Sequence, residues 1–299
     1  MWALRRRPHN TLDRWDGTWY ERTLLFEGRT VVVATRQIGG GDNPRLVVEL
    51  RSQGARLPTA AADGVCTILD RTLGLHTEIG GFADLARTDP RLEALAARFQ
   101  GMRPPRFPSV FESLVNAIAC QQLSLTVGIH LLNRLAERYS ATAANASGPG
   151  FPEPDQLASA RVLDLQRLGF SRSKALALQR LARRVASGTL DLERLEGVDD
   201  DAARSVLMGI NGVGRWSTEY VLLRGLGRLH VLPGDDVGAR NNLRRHFDLD
   251  PSADYEAVAN LARRWWPYAG LVYFHLLLDS LADAQQVIPG SMPPSGAVL

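Results

Sequence analysis

From about residue 84 to residue 283 the apolar residues recur at helical spacing, whereas most of the chain before residue 84 reads as strands. This change of period limits the fold more than any motif. A face repeating every 3.6 residues and one repeating every two belong to different elements. Phe111, Leu114, Val115 and Ile118 stand at i, i+3, i+4 and i+7, a stripe that other helices must cover. Val127, Leu131, Leu132, Leu135 and Tyr139 mark the next helix. The helix carrying Leu92, Leu95 and Phe99 is entered through Asp89-Pro90, with Pro at a tolerated first-turn position, and Gly101 and Pro104-Pro105 end it. Further helices are expected around 155–168, 173–187, 200–208, 215–225, 236–247, 253–265 and 267–283, with 140–155 a Pro/Gly-rich surface loop. The last helix is apolar nearly all round, which places it in the core.

The first third reads as strands. Tyr20 to Phe26, the turn Glu27-Gly28, then Thr30 to Thr35 form a hairpin; a second turn over Gly39–Pro44 leads to a strand from Leu46 to Leu50. Three strands need a cover for one face, and Val65, Ile68, Leu69 and Leu73 supply a helical one. The expected fold class is therefore α+β. A small antiparallel β-rich N-terminal domain (1–83) precedes a mostly α-helical domain (84–285) and a C-terminal tail (286–299).

Several function classes are disfavoured at once. The longest apolar run, Ala269 to Phe274, stops at His275, far short of the ~20 residues that span a bilayer. The basic N-terminus lacks the apolar stretch of a signal peptide, so a cytoplasmic protein with no membrane partner is expected. Two cysteines, Cys66 and Cys120, cannot build a four-cysteine zinc or iron–sulfur site from this chain alone. The spacing around Cys66 points to the core. Net charge is only +3, but Arg clusters at 5–7, 183–184, 244–245 and 263–264, and Lys174 is the sole lysine. Arginine forks suit phosphate oxygens, so these clusters permit nucleic-acid binding, although paired charges also line ordinary solvated faces.

Two segments carry chemistry. In Leu207-Met-Gly-Ile-Asn-Gly-Val-Gly-Arg-Trp-Ser-Thr-Glu-Tyr220 one helix ends, a glycine-rich turn follows, and a second helix starts near Arg215. Gly212 and Gly214 allow positive φ and close approach of another backbone. The free N–H groups of the second helix then face outward, where the dipole favours an anion such as a phosphate. Twenty residues past Trp216, Val231-Leu-Pro-Gly-Asp-Asp236-Val-Gly-Ala-Arg240 brings a loop to a helix start. Asp236 alone reads as a helix cap. Its neighbour Asp235 and the bend at Pro233-Gly234 make the loop more acidic and tighter than a cap requires.

Together these segments resemble the helix–hairpin–helix base-excision DNA glycosylases, whose signature is a hairpin, a Gly/Pro-rich loop and an Asp. The likeness is strongest to the 3-methyladenine DNA glycosylase II type. Asn116-Ala-Ile-Ala-Cys-Gln-Gln-Leu-Ser124, Gly169-Phe-Ser-Arg-Ser-Lys174-Ala, Gly225, and Arg264-Trp-Trp-Pro-Tyr268 with Phe274-His275 extend it over about residues 65–283 in the right order.

The resemblance implies roles. Asp236 corresponds to the catalytic carboxylate. Gly212, Gly214 and Ser217, beside Arg215, correspond to the phosphate-holding hairpin, and the carbonyls of Met208, Ile210 and Val213 to ligands of a monovalent cation; no other cofactor is implied. Trp216 and Tyr220 correspond to aromatic walls of a base pocket. Gln121, Gln122, Leu123 and Ser124 correspond to the loop entering the DNA, with Gln122 or Leu123 as the wedge and Cys120 beside it. The partner is double-stranded DNA holding a damaged base, and the protein a monomer of the cytoplasm, at a bacterial nucleoid.

One position bears on the reaction type. Relatives that also cut the strand carry a lysine after Gly-x-Gly-Arg, where this chain has Trp216. Water must then be the nucleophile, and the implied activity is monofunctional hydrolysis. Breaking the N-glycosidic bond builds positive charge on the sugar. A carboxylate about 4 Å away contributes ~4 kcal/mol at an effective dielectric of about 20, roughly a thousandfold in rate. Bases alkylated at N3 or N7 already carry positive charge and leave without a strong acid, which favours alkylated purines. Leu277-Leu278, where the relatives place Trp-Tyr, and the unaligned Trp2, Trp15 and Trp19 leave the preferred base open. A glycosylase for deaminated or oxidised bases and a non-catalytic lesion-binding module stand as the alternatives.

Overall fold

The computed structural model describes residues 1–39, 43–52, 57–140 and 148–284. Parts of the expected turn at 39–44 and of the loop at 140–155, the side chain of Trp2, and the tail lie outside the described residues. Four strands form one antiparallel sheet in the order β1 (Arg14–Trp15), β2 (Tyr20–Phe26), β3 (Arg29–Ile38), β4 (Arg45–Ser52). Glu27 and Gly28 both have positive φ (49° and 71°), the two-residue turn that matches strand twist and sets Phe26 opposite Arg29. The first strand was not legible in the sequence, since two residues carry no period.

The helices follow in chain order: α1 (Trp2–Arg5), α2 (Thr59–Leu73), α3 (Phe82–Ala86), α4 (Pro90–Arg98), α5 (Val110–Cys120), α6 (Leu125–Tyr139), α7 (Pro154–Ala158), α8 (Val162–Arg167) and α9 (Arg172–Ala186). After a short 3₁₀ turn at Glu193–Gly197 come α10 (Asp200–Met208), α11 (Arg215–Arg224), α12 (Val237–Phe247), α13 (Tyr255–Arg263) and α14 (Ala269–Asp283). This bears out the α+β class. The single helix expected over 155–168 is instead two. The chain breaks at 159–161, and the Ala160 carbonyl freed there accepts the Gln179 amide from α9 at 2.6 Å. Among the described residues no helix is long and apolar enough to cross a membrane.

The described chain divides into two units. The first comprises Met1–Asp70 and Ile118–Leu190, and the second Arg71–Ala117 and the residues from Asp191 onward; residue 83, where the sequence pattern changes, lies inside the second. In the first unit Tyr20, Leu24 and Val31 to Val33 are buried. A buried ion pair joins Arg22 to Asp13 at 2.6 Å, and Tyr20 donates to the same carboxylate oxygen at 2.6 Å, so the charge is fully engaged. Cys66 is half-buried rather than a core residue.

In the second unit α14 runs through the core with Leu271, Phe274 and Leu276 fully buried beside Trp265. Leu278 is buried and Leu277 packs on this core. Asp279, on the same helix, is buried against Arg98, Arg245 at 3.0 Å and His246 at 2.9 Å.

Candidate active site

The site is built in the second unit on α10, α11 and α12. Helix α10 starts at Asp199, whose side chain accepts the Ala202 N–H. It ends in a turn closed by Ile210 N–H to the Leu207 carbonyl and Val213 N–H to the Ile210 carbonyl, at 3.1 and 3.0 Å. Gly212 takes φ 87°, which a side chain rarely adopts. Gly214 differs from expectation: its φ is −106°, and a Cβ added there would meet nothing within 4 Å. What Gly214 supplies is an uncovered helix start. As N-cap of α11 it offers no side-chain cap to the first turn.

Gly212, Gly214 and Arg215 are exposed, while Ser217 is buried at 1% exposure. The exposed surface of the hairpin therefore consists of residues before Ser217. The Ser217 side chain belongs to the packing.

Asp236 uses both of its carboxylate oxygens. One carboxylate oxygen caps α12, accepting the Ala239 N–H at 2.7 Å; the other accepts the Trp216 indole N–H at 3.1 Å. Trp216 in turn stacks on Tyr220, with ring centroids 5.4 Å apart and planes 27° apart. The three residues expected to share a site are thus in one chain of contact. Tyr220 is mostly buried and lies 6.1 Å from Phe107, and the buried Arg224 guanidinium sits 5.0 Å from the Phe107 ring and 6.0 Å from Tyr220. A cation held against aromatic faces stiffens the wall behind Trp216.

Asp235 has other duties. It accepts Arg215 at 2.7 Å and Arg240 at 3.1 Å, and Arg240 also donates to the Gly234 carbonyl at 2.7 Å. Arg215 is therefore bound to Asp235 and lies over the Tyr255 ring at 3.7 Å, with its side chain half-exposed.

Phe107, Arg224 and Glu219 were missed by the sequence reading. Glu219 is 2% exposed and accepts the Gly234 N–H at 3.0 Å and the Tyr255 hydroxyl at 2.5 Å. Burial is the main force pushing its carboxyl above the usual range. The one available signal was two charged residues, Glu219 and Arg224, flanking Val221-Leu-Leu223 on a helix buried from Ser217 to Arg224.

The loop Gln121 to Ser124 belongs to the first unit. Gln122 and Leu123 are exposed, Leu123 at 41%, and Gln122 takes φ 54°. Ser124 caps α6 by accepting the Val127 N–H at 3.4 Å. Cys120 is half-buried and lies against Gly128, where an added Cβ would come within 2.5 Å of its sulfur. Lys174 donates to the carbonyls of Ala119 and Gln121 at 3.0 and 2.6 Å, so the sole lysine closes the end of α5. Burial holds its ammonium below the usual lysine range.

Among the described residues no group of three or more His, Cys, Asp or Glu could hold a metal ion.

Residues 115–268 match the family model described as HhH-GPD superfamily base excision DNA repair protein. The chain is similar to DNA-3-methyladenine glycosylase 2 of Escherichia coli, 30% identical over 62% of this chain and 63% of that one. It is 30% identical over 56% of its length to a Bacillus subtilis protein provisionally named a DNA-3-methyladenine glycosylase, and spans 58% of that relative. Among solved structures, a 3-methyladenine DNA-glycosylase from Archaeoglobus fulgidus superposes with a TM-score of 0.79 at 26% identity, covering 95% of this chain and 93% of that one.

Proposed function

The chain belongs to the HhH-GPD superfamily of base excision DNA repair proteins, and from that premise we propose that it is a monofunctional DNA glycosylase excising alkylated purines by hydrolysis. The observation that carries this reading is the Asp236 carboxylate, held by the Trp216 indole at 3.1 Å beside the aromatic pair Trp216–Tyr220.

Each residue has a part. The N–H groups at the start of α11, with Gly212, Gly214 and Arg215, take a phosphate of double-stranded DNA. This contact fixes register without reading sequence. The damaged base leaves the stack, at a cost of a few kcal/mol, and stands against Trp216 and Tyr220. A base that carries positive charge is favoured there by the aromatic faces. As the glycosidic bond lengthens, the sugar becomes cationic and Asp236 stabilises it. The same carboxylate orients the attacking water and takes its proton. Gln122 or Leu123 fills the gap left in the duplex.

Trp216 replaces the lysine of strand-cutting relatives, and Lys174 is engaged with two carbonyls, so the amine for a Schiff base is missing from the hairpin. The carbonyls of Met208, Ile210 and Val213 fit a monovalent cation: they are neutral oxygens of the kind hard cations take, and the Ile210 oxygen uses one lone pair for Val213 N–H and keeps another. Such an ion would add positive charge behind the phosphate. One copy of the chain supplies every residue named, so a monomer suffices.

The test is incubation with alkyl-methylated duplex DNA, following free base and strand integrity separately. Release of 3-methyladenine or 7-methylguanine is expected, with intact strands until alkali is added and no borohydride-trapped covalent adduct. Release of hypoxanthine or an oxidised base alone would move the substrate class. Binding without any release would overturn the enzymatic reading.

A further inference from the structure

We propose that Glu219, together with Tyr255, is a positioning residue that holds the loop carrying Asp236 in its working geometry; the proposal rests on Asp236 being the catalytic carboxylate. The two glutamate oxygens have separate tasks. One accepts the Gly234 N–H at 3.0 Å, two residues before Asp236. The other accepts the Tyr255 hydroxyl at 2.5 Å, with Arg204 3.7 Å away. Tyr255 also forms the surface on which Gly234 rests: a Cβ at Gly234 would come within 2.8 Å of the Tyr255 ring. Gly234 is therefore fixed from its N–H side by Glu219, from its carbonyl by Arg240 and from its α-carbon by Tyr255.

Helix α11 is the common rail. Arg215 grips Asp235, Trp216 grips Asp236 and Glu219 grips Gly234, three consecutive loop residues held by one helix. A carboxylate that must face a developing sugar cation loses rate quickly when displaced, by about a hundredfold for a 1 Å shift. Burying a charged glutamate is costly, and burial does push the Glu219 carboxyl above its usual range, while Asp235 adds to that push and Arg204 opposes it. Tyr255 is pushed up to about 12, chiefly by its own burial and then by Glu219. A core helix filling the same space with leucine would avoid this cost, and the two hydrogen bonds that Glu219 accepts offset it.

The groups facing Glu219 are Arg204 on α10, Arg215 on α11, Asp235 on the loop and Tyr255 on α13. Protonation of Glu219 replaces an acceptor lone pair by an O–H and breaks the pattern. Because the carboxyl is raised, this happens above the ordinary carboxylate range.

The experiment measures single-turnover base release on methylated duplex DNA across pH for wild type, Glu219→Ala, Glu219→Gln and Asp236→Asn, with DNA affinity and melting recorded for each. Glu219→Ala is expected to lower the release rate about tenfold to a hundredfold with DNA affinity within twofold. Glu219→Gln, which mimics the protonated carboxyl, is expected to be several-fold slower at neutral pH and to converge with wild type as pH falls. Rate profiles that stay parallel across pH, or a folded Glu219→Ala with wild-type rates, overturn the proposal. If Glu219→Ala does not fold, the Glu219→Gln profile decides. Asp236→Asn separates the two layers: near-wild-type release there removes the catalytic reading itself, whereas an inactive Asp236→Asn beside an unaffected Glu219 series removes only the positioning role.

Discussion

Two loops of this molecule carry the residues that DNA repair would use, and they are held in opposite ways. The loop Pro233 to Asp236 is gripped by polar and charged side chains from α11 and α12: Glu219 on the Gly234 N–H, Arg215 and Arg240 on Asp235, Trp216 on Asp236. The loop Gln121 to Ser124 is held at its base by Lys174 and at its end by the α6 cap, and between them Gln122 and Leu123 stand exposed on a backbone that includes φ 54°. The difference follows from the work proposed for each. A carboxylate that stabilises charge must be fixed before the charge appears, since reorganising it during the reaction would cost rate. A side chain that enters a duplex must instead be presented to solvent beforehand and buried only on binding.

The largest effect expected from this contrast concerns the rigid loop. Asp236→Asn keeps the cap on α12, because the amide oxygen still accepts the Ala239 N–H, but removes the charge and turns an NH2 toward the Trp216 indole N–H in place of an acceptor. Base release should fall by roughly a thousandfold, the rate equivalent of ~4 kcal/mol, with binding to lesion-containing duplex retained. Parallel measurement of release and of binding by fluorescence anisotropy checks this. A variant that loses binding as well would mean that Asp236 serves the loop's structure more than its chemistry.

The exposed loop should respond on the other axis. Leu123→Ala removes an apolar side chain that is 41% exposed in the free protein and would be buried in the duplex. Full burial of a leucine is worth ~1.5–3 kcal/mol, so base release at limiting enzyme should fall roughly tenfold or more. Melting of the free protein should hardly change. A substituted protein that melts much lower would show that Leu123 packs at home, and would leave Gln122 as the wedge.

The same contrast explains what was legible in the sequence. The α+β class and the hairpin could be read because period and glycine placement are local signals, while Trp216 and Asp236 were brought to one site by the family resemblance rather than by their spacing. Glu219 could not be assigned. Its partners Gly234 and Tyr255 lie 15 and 36 positions away, and nothing in a helical stretch says which buried acid finds a distant N–H. Lys174 stands out as the sole lysine, but its grip on the Gln121 carbonyl spans 53 positions. The break at 159–161 was hidden for a related reason: its carbonyl is satisfied by Gln179 from another helix, so the apolar period runs on across the gap.

The smallest effect isolates backbone from side chain in the exposed loop. Gln122 at φ 54° occupies the left-handed region, which costs an ordinary residue ~1 kcal/mol or slightly more relative to glycine. Gln122→Gly removes that cost but adds freedom to the unfolded chain, which returns ~0.5–1 kcal/mol. The net change in stability should therefore be small, within about 0.5 kcal/mol and tending to stabilise, read as a denaturant midpoint shift at constant m. Gln122→Asn, which tolerates the same φ and keeps an amide, is the companion variant. If Gln122→Gly leaves stability level but slows base release while Gln122→Asn restores part of the rate, the strained turn exists to present an amide to the duplex. If Gln122→Gly destabilises by more than about 1 kcal/mol, the side chain is holding the loop, and the contrast with the Asp236 loop is one of degree, since both would then be fixed before DNA arrives.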